Sequence, residues 1–511
     1  MSKVLDKFHN LCSDYLFRNA HLLRKTLHPE KCVPFSVLCK SVGVDFDSQS
    51  AAIRNLANRK VSQIITPVSR KLTQSLKGSI CYCRDDAQAR ILMNEGAIAI
   101  ISNREIADCV CLVVDNPLEV YCRMCNFYRR MNNQVSIATV IGSIGKSTTK
   151  NMVASVYSAD QKTFAVDMNF NTEHTIGFFL QHIPKRIKRM VWEVAESIPN
   201  RTAIVSEMIH PHVAVITAID KSHFAVFGDE MGIVKEVCDI TAGLDDSGCV
   251  IVNKDEFAWY HLLRGKKVVT ISLSDFSADY YAKDIRIGES GLEFVVVETA
   301  SNVEQAIRLT NIFARHNIKS ALSAFAAGRF EGIPHHVIAK GLADFRTTDV
   351  RQNVVKANDG VTIYADCYNA IPRSVRSAVS TCDIIPTKGK RYVVLGDIEE
   401  CGDISDDVHN ELIRIVSESK FDVFIPVGKK IIAALSRQQL PESLQVQPFN
   451  KNEDVEDYLA KVLVSGDLVL FKASHASHLD QIIKFLWPNE YRSMMGYNSN
   501  YKWWLAKTSV C

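Results

Sequence analysis

The stretch from Ser136 to Ser158, SIATVIGSIGKSTTKNMVASVYS, constrains this chain more than any other. Ile137 to Ile141 is an apolar, β-branched run suited to a buried strand, and Thr148 to Tyr157 predicts a helix with Met152, Val153 and Val156 on one side. Between them lies Gly142-Ser143-Ile144-Gly145-Lys146-Ser147-Thr148. A glycine turn opening a helix aims backbone N–H groups and the positive end of the helix dipole at an anion. Lys146 is then placed for the β- and γ-phosphates of a nucleotide, and the Ser147 hydroxyl for a magnesium ion. The usual phosphate loop has a glycine five residues before its Gly-Lys pair, where this chain has Val140. A short glycine turn between strand and helix also serves as a plain tight connection, so the residues downstream decide.

At 511 residues the chain has room for roughly three domains of about 150 residues. Its 47% hydrophobic and 23% charged residues are those of an ordinary globular protein. No apolar run approaches the ~18 residues of a membrane span. The start, MSKVLDKFHNLCSDYLF, carries charges throughout and lacks a secretory apolar core, which predicts a cytoplasmic protein. With a net charge of +3, Lys185-Arg186-Ile187-Lys188-Arg189 is expected to be a solvated edge, and neither a nucleic-acid nor a membrane partner is expected. Among 15 cysteines, Cys122 and Cys125 have metal-ligand spacing, but no second pair follows at zinc-site distance. Reduced structural thiols are the expectation.

The first 45 residues read as helical, with Val4, Phe8, Leu11 and Tyr15 in helical register. Short strands and helices then alternate: Gly78 to Cys83, Ala87 to Glu95, Ala97 to Ile101 and Val110 to Val114. In the central block, strands are expected at Ile137 to Ile141, Met190 to Val194, Val213 to Ile216 and Cys249 to Val252. Such alternation predicts a mostly parallel sheet covered on both faces, with ligands outside the carboxyl ends of the strands. Glu193 ends one strand and His223 follows another by a short loop. With the Ser147 hydroxyl they would suit a magnesium-phosphate site, although each alone is equally a strand-end charge or a loop histidine. A third block repeats the pattern at Val361 to Tyr364, Tyr392 to Leu395, Val423 to Val427 and Leu468 to Phe471. The tail is aromatic, with Tyr497, Tyr501, Trp503 and Trp504.

Several of these segments together resemble the Mur ligase family. GSIGKST looks like the family's short phosphate loop, NFNTE at Asn169 to Glu173 its next loop, WEVAES its metal-binding glutamate segment and PHVAVITAIDKSHFAVFG its metal-binding histidine segment. ARHNIKSALSAFAAG, ADCYNAIP, LGDIEECGDISDDVH and Lys472-Ala473-Ser474-His475 follow in the family's order. The subfamily resembled is the one that adds D-alanyl-D-alanine to UDP-N-acetylmuramoyl-tripeptide.

The resemblance implies an α/β protein of three-domain architecture. Residues 46–134 would be a small substrate-binding domain of divergent UDP-binding type, 135–345 a central P-loop domain with a mostly parallel sheet, and 346–490 a doubly wound, Rossmann-like ligase domain. An N-terminal helical extension, 1–45, and an aromatic tail, 491–511, would flank them. It further implies ATP and Mg2+ as cofactors and small-molecule substrates, a nucleotide-sugar peptide or other carboxylate and an amine or dipeptide. ATP would be held by Gly142, Ser143, Gly145, Lys146, Ser147, Thr148, Asn253, His316, Asn317, Arg351 and Asp366. The metal would be held by Ser147, Glu193 and His223, and catalysis would rest on Lys146, Glu193, His223 and Arg351.

The chain departs from the family at several positions. Val237 stands where relatives carry a lysine that can be carbamoylated to bridge a second metal, with Lys235 two residues away. Ala218, Ser320, Ala365 and Ile371 replace polar family residues, and the Asp-Gly-His element of the UDP-binding segment is missing after Gly78 to Cys83. Three functions are therefore compatible with the sequence: the peptidoglycan ligase, a ligase of the same mechanism acting on a different, non-UDP carboxylate, and a non-catalytic ATP-binding scaffold.

Overall fold

A computed structural model describes residues 32–69, 75–166, 170–183, 186–196, 198–219, 227, 229–288, 290–347, 350–368, 370–398 and 405–496. They divide into two compact units, one from residues up to 279 with 323–334, the other from 280–322 with 335–499. His223, Asn169, Asn369, most of the N-terminal extension and residues 497–511 of the tail lie outside the described residues.

The first unit contains two parallel sheets and a two-stranded antiparallel one. Ile64–Ile65, Ile80–Tyr82, Ala99–Ser102 and Cys111–Val113 pair side by side, all parallel, as the alternating strands and helices imply. Asp85 caps the helix Asp86–Asn94 between two of them, its carboxylate accepting from the N–H groups of Ala87 and Gln88. Of the expected N-terminal helix, the described part is the strand Val33–Pro34, paired with Lys60–Val61, followed by the helix Phe35–Ser41. Cys122 and Cys125 are buried on the helix Pro117–Arg130, where loss of solvation pushes the Cys125 thiol up to about 12.

The larger sheet of this unit runs Lys267–Ser272, Cys249–Asn253, Val213–Ile216, Ser136–Ile141, Arg189–Glu193, Thr163–Ala165, all parallel. Ile137, Ala138, Val140 and Ile141 are completely buried, as a strand covered on both faces demands. After Ser136–Ile141 the chain goes to the edge strand Thr163–Ala165, returns through Arg189–Glu193 between the two, then crosses to the other side at Val213–Ile216. That reversal opens a crevice at the carboxyl ends of three neighbouring strands, the usual ligand position of such sheets.

Arg189 corrects the expectation of a solvated basic edge. It is 6% exposed, its guanidinium 2.6 Å from the Asp160 carboxylate and 3.3 Å from that of Glu331, with the Tyr157 ring beneath it. A guanidinium presents several donors in a plane and can serve two carboxylates at once, so here it ties a helix end to its strand.

The second unit holds three antiparallel strands, Tyr280–Gly288, Gly291–Glu298 and Val303–Thr310, which the expectation of a mostly parallel central block did not include. It also holds a six-stranded sheet in the order Asn353–Lys356, Thr362–Asp366, Leu468–Lys472, Arg391–Gly396, Val423–Val427, Gln445–Val446, parallel except for the first pair. Leu468 and Leu470 pack with the helices Pro372–Ile384 and Ser405–Ser417, while Val469 and Phe471 pack with Asn452–Val462 and Asp480–Leu486. Alternate residues of one strand thus feed two cores, as in a doubly wound sheet. The described start of the tail is part of the helix Pro488–Gly496, and Tyr491 donates to Asp480 at 2.9 Å. No helix among the described residues is long and apolar enough to cross a membrane.

Candidate active site

The phosphate loop occupies the crevice of the first unit. Gly142 has φ 132° and Gly145 φ 85°, backbone conformations that side chains disfavour. A Cβ on Gly142 would also strike the Thr217 hydroxyl and stand 3.0 Å from the Ala218 carbonyl oxygen. Ser143 donates its N–H to that same carbonyl at 2.8 Å, fastening the loop to the end of the neighbouring strand. The helix begins at Lys146, two residues before the predicted start, so Lys146, Ser147 and Thr148 form its first turn. Gly145, the cap residue, carries no side chain that could occupy the anion position.

Two carboxylates, one ending the strand Arg189–Glu193 and one three residues further on, meet this turn. Ser147 Oγ donates to Glu193 Oε2 at 2.7 Å, and Asn171 Nδ2 donates to Glu193 Oε1 at 3.3 Å. Lys146 Nζ lies 2.9 Å from Glu196 Oε1 and also donates to the Gly142 carbonyl. Glu193 and Glu196 are 7% and 3% exposed, so neither is a strand-end charge in solvent. Glu196 and Asn171 were not among the predicted site residues. The only signal was their position inside WEVAES and NFNTE, since the lysine partner of a carboxylate cannot be read from spacing alone. A hydroxyl and a carboxylate oxygen 2.7 Å apart are hard donors of the type magnesium takes.

Asn253 ends the strand Cys249–Asn253; its Oδ1 accepts from the Asp255 N–H, and its buried Nδ2 has no hydrogen-bond partner among the described residues. Of the residues that stand in for polar family positions in this unit, Ala218 acts through its backbone carbonyl and Val237 is completely buried on the helix Glu230–Cys238. Lys235 points to solvent and pairs with Asp239 at 3.0 Å, so it does not take the place of the missing lysine. Glu236, between them, instead accepts the N–H groups of Asn200, Arg201 and Thr202 and so caps the helix Thr202–Ile209.

In the second unit the predicted residues join into one chain of contacts. Asp366 and Lys472 are register partners on adjacent parallel strands, with Lys472 Nζ 3.1 Å from Asp366 Oδ2. Gln352 donates its N–H to Asp366 Oδ1 at 3.3 Å, and its side-chain oxygen is met by His316 Nε2 at 3.2 Å and Asn317 Nδ2 at 3.4 Å. The protein packed around His316 lowers its pKa below the ordinary imidazole value by desolvation. The Arg351 guanidinium lies over the Tyr368 ring, 3.3 Å from its centroid. Gln352 and Lys472 are the residues the sequence analysis did not place in the site. Ser320 and Ala365 are buried, and Ile371 is exposed at the start of the helix Pro372–Ile384.

A phosphate loop in the crevice of a parallel sheet, with a hydroxyl and a carboxylate beside its lysine, defines a nucleotide-binding α/β protein of the P-loop type. Residues 140–328 match the family profile described as the Mur ligase middle domain, and residues 350–475 the Mur ligase, glutamate ligase domain. The chain belongs to the Mur ligase family. It is 30% identical over 352 residues to the UDP-N-acetylmuramoyl-tripeptide–D-alanyl-D-alanine ligase of Bacillus subtilis, covering 68% of this chain and 75% of that one. The enzyme of the same name from Escherichia coli is 25% identical over 435 residues, 83% of this chain and 94% of that one. Among solved structures, a MurF crystal structure from Acinetobacter baumannii superposes with a TM-score of 0.74 at 22% identity, covering 90% of this chain and 99% of that one. MurF from Thermotoga maritima in complex with ADP gives 0.69 at 19% identity, with 85% and 98% covered. These two likenesses concern the fold.

Proposed function

We propose that this chain is an ATP-dependent amide ligase that adds D-alanyl-D-alanine to UDP-N-acetylmuramoyl-tripeptide in peptidoglycan precursor synthesis. The observation that carries this reading is the phosphate loop with Lys146 and the Ser147–Glu193 pair in the switch-point crevice. A carboxylate oxygen of the tripeptide attacks the γ-phosphorus of ATP, ADP leaves, and an acyl phosphate forms. The amine of the dipeptide then attacks the acyl carbon; phosphate leaves, the nitrogen gives up a proton, and an amide remains.

The protein's part is positioning and charge stabilisation. Backbone N–H groups of the first helical turn, from Gly145 to Thr148, cradle the phosphates, and Lys146 neutralises the β/γ-oxygens. Ser147 and Glu193, with His223 as the further ligand implied by the family resemblance, would hold magnesium, which would supply positive charge to the phosphate oxygens. The unsatisfied Asn253 amide suits a nucleotide acceptor atom. Nucleotide-binding roles for Arg351, His316, Asn317 and Asp366 follow from the family resemblance, and the domain division 46–134, 135–345 and 346–490 is proposed with them.

The test is phosphate release from Mg-ATP with both substrates, each alone and neither, with the product followed by mass. Release requiring both and yielding the pentapeptide mass supports the reading. Lys146→Ala is expected to lower turnover by about a hundredfold or more while leaving the circular dichroism spectrum unchanged. Ligation that persists in this variant refutes the assignment. The missing Asp-Gly-His element favours a second reading, the same chemistry on a non-UDP carboxylate. Binding of ATP without any response to the UDP-sugar peptide would establish it over the first.

A further inference from the structure

The helix Glu173–Gln181 follows directly on the loop that carries Asn171, and both of its ends are fastened to the part of the chain that builds the small parallel sheet. At the last residue, buried Gln181 accepts the Ile64 N–H at 2.6 Å and donates to the Ile64 carbonyl at 2.9 Å. A side-chain amide thus covers the edge strand Ile64–Ile65 as a further strand would. At the first turn, the hydroxyl of Tyr121, on the helix Pro117–Arg130, meets the carbonyl oxygens of Glu173 at 3.4 Å and His174 at 3.2 Å. Tyr121 is completely buried, and its ring stacks on that of Tyr82, the last residue of the strand Ile80–Tyr82, with 5.7 Å between centroids. Gly177 makes room for the contact, since a Cβ there would stand 2.5 Å from the hydroxyl.

The same first turn leads to the phosphate loop. Thr172 is the cap residue of the helix, and Asn171, one residue earlier, donates to Glu193 Oε1 at 3.3 Å while its carbonyl accepts the Ala195 N–H at 3.1 Å. The other oxygen of Glu193 accepts from Ser147 at 2.7 Å. One helix therefore stands between the strand end at Tyr82 and the carboxylate that faces the loop. A carbonyl in a helix already accepts one bond from the following turn, and its second lone pair can do without a donor. Phenylalanine at position 121 would fill the same space with no polar group to satisfy. What the hydroxyl adds is a fixed place for the turn that precedes the loop.

We propose that Tyr121 is a positioning residue for the ligation: through the first turn of Glu173–Gln181 it sets where Asn171 holds Glu193. With Gln181 at the far end of the helix, it keeps the small sheet and the phosphate loop at one spacing. The carboxylate substrate held by residues 46–134 and the nucleotide held by the loop are then presented to each other at a fixed distance. This assignment rests on the proposed function and deepens it.

The test compares the full chain with Tyr121→Phe, Asn171→Ala and the double variant. Mn2+ affinity is read by electron paramagnetic resonance in the presence of β,γ-imido-ATP, and turnover with Mg-ATP and both substrates. Tyr121→Phe is expected to weaken Mn2+ at least threefold and to lower kcat at least tenfold, with KM for the UDP-sugar peptide within twofold of the wild type. In the Asn171→Ala background the same substitution is expected to change neither quantity further, because the link it acts through is gone. Loss of a merely structural contact would instead add in full to the effect of Asn171→Ala. A Tyr121→Phe variant with wild-type Mn2+ affinity and kcat overturns the inference, and so do effects that add. If Tyr121→Phe does not fold, Gly177→Ala, whose methyl group displaces the hydroxyl, takes its place in the same cycle. The Mn2+ arm does not depend on the identity of the carboxylate substrate. Each of these results leaves the nucleotide site standing, whereas a wild type that binds no imido-ATP refutes the reading of the loop itself.

Discussion

Removal of the Lys472 charge is the most informative single perturbation of the second unit. Lys472 is 1% and Asp366 11% exposed at the side chain, with 3.1 Å between Nζ and Oδ2. Lys472→Met keeps most of the side-chain volume and deletes the ammonium. Asp366 is then a buried carboxylate with the Gln352 N–H, at 3.3 Å, as its remaining hydrogen-bond donor among the described residues. It cannot swing to water, because its backbone is held in register by the ladder from Thr362↔Leu468 to Asp366↔Lys472. Breaking a buried pair from one side typically costs about 3–5 kcal/mol. The unit contains about 200 residues, and for that size each kcal/mol lowers the melting temperature by roughly 2–4 °C. The expected shift is therefore about 6–20 °C in the calorimetric transition of the second unit. Asp366→Asn combined with Lys472→Met removes both charges and is expected to recover most of that loss, since a buried pair replaced as a whole is close to neutral. A shift below about 2 °C for Lys472→Met, or a double variant no more stable than the single, would show that the pair is not held away from water and would refute the reasoning.

Gly142→Ala is expected to cost about 1–3 kcal/mol of backbone strain and to displace Thr217, weakening ADP binding by calorimetry at least tenfold; wild-type affinity would contradict the loop geometry. His212 accepts the Ile137 N–H at its Nδ1 and has its pKa lowered by burial, with Arg129 nearby adding to the effect. The unfolded chain then binds more protons than the folded one between the lowered pKa and about 6.5, so stability falls as pH drops through that window, by at most about 1.4 kcal/mol per pH unit. His212→Gln is expected to flatten urea midpoints measured from pH 7.5 downward, and an unchanged profile would exclude this source. Burial pushes the thiols of Cys39, Cys125, Cys238 and Cys249 up to about 12, so mass mapping should find iodoacetamide on them only after denaturation. Labelling of Cys125 in the native protein would refute its burial on Pro117–Arg130.

The order of strands and helices, and the phosphate loop itself, were legible because they rest on local signals. Val213 to Ile216 and Leu468 to Phe471 announce buried strands by their own composition, and each is a buried parallel strand. The helix Lys146–Asp160 began two residues earlier than periodicity suggested, because its first turn is defined by the glycine at the cap and not by apolar spacing. The antiparallel strands from Tyr280 to Thr310 escaped notice because charged residues such as Lys283, Asp284 and Arg286 interrupt their apolar pattern.

Partner choice belongs to tertiary structure. Arg189 looked like part of a solvated basic run until the fold brought Asp160 and Glu331 to it, the latter more than a hundred residues away in the chain. Glu196 and Glu193 are three residues apart in one motif, yet one faces a lysine and the other a hydroxyl because the neighbouring strand presents the loop between them. The sequence by itself determined most of the parallel strands, the glycine turn that opens the helix Lys146–Asp160 and the family the chain joins. Backbone propensity and burial patterns act over a few residues and leave their mark there. Only the fold decided that Glu196 would hold Lys146, that Gln352 would link His316 to Asp366, and that Lys235 would face solvent. Charges and hydrogen bonds are satisfied by whatever the packing brings within about 3 Å, and that distance is set by the whole chain.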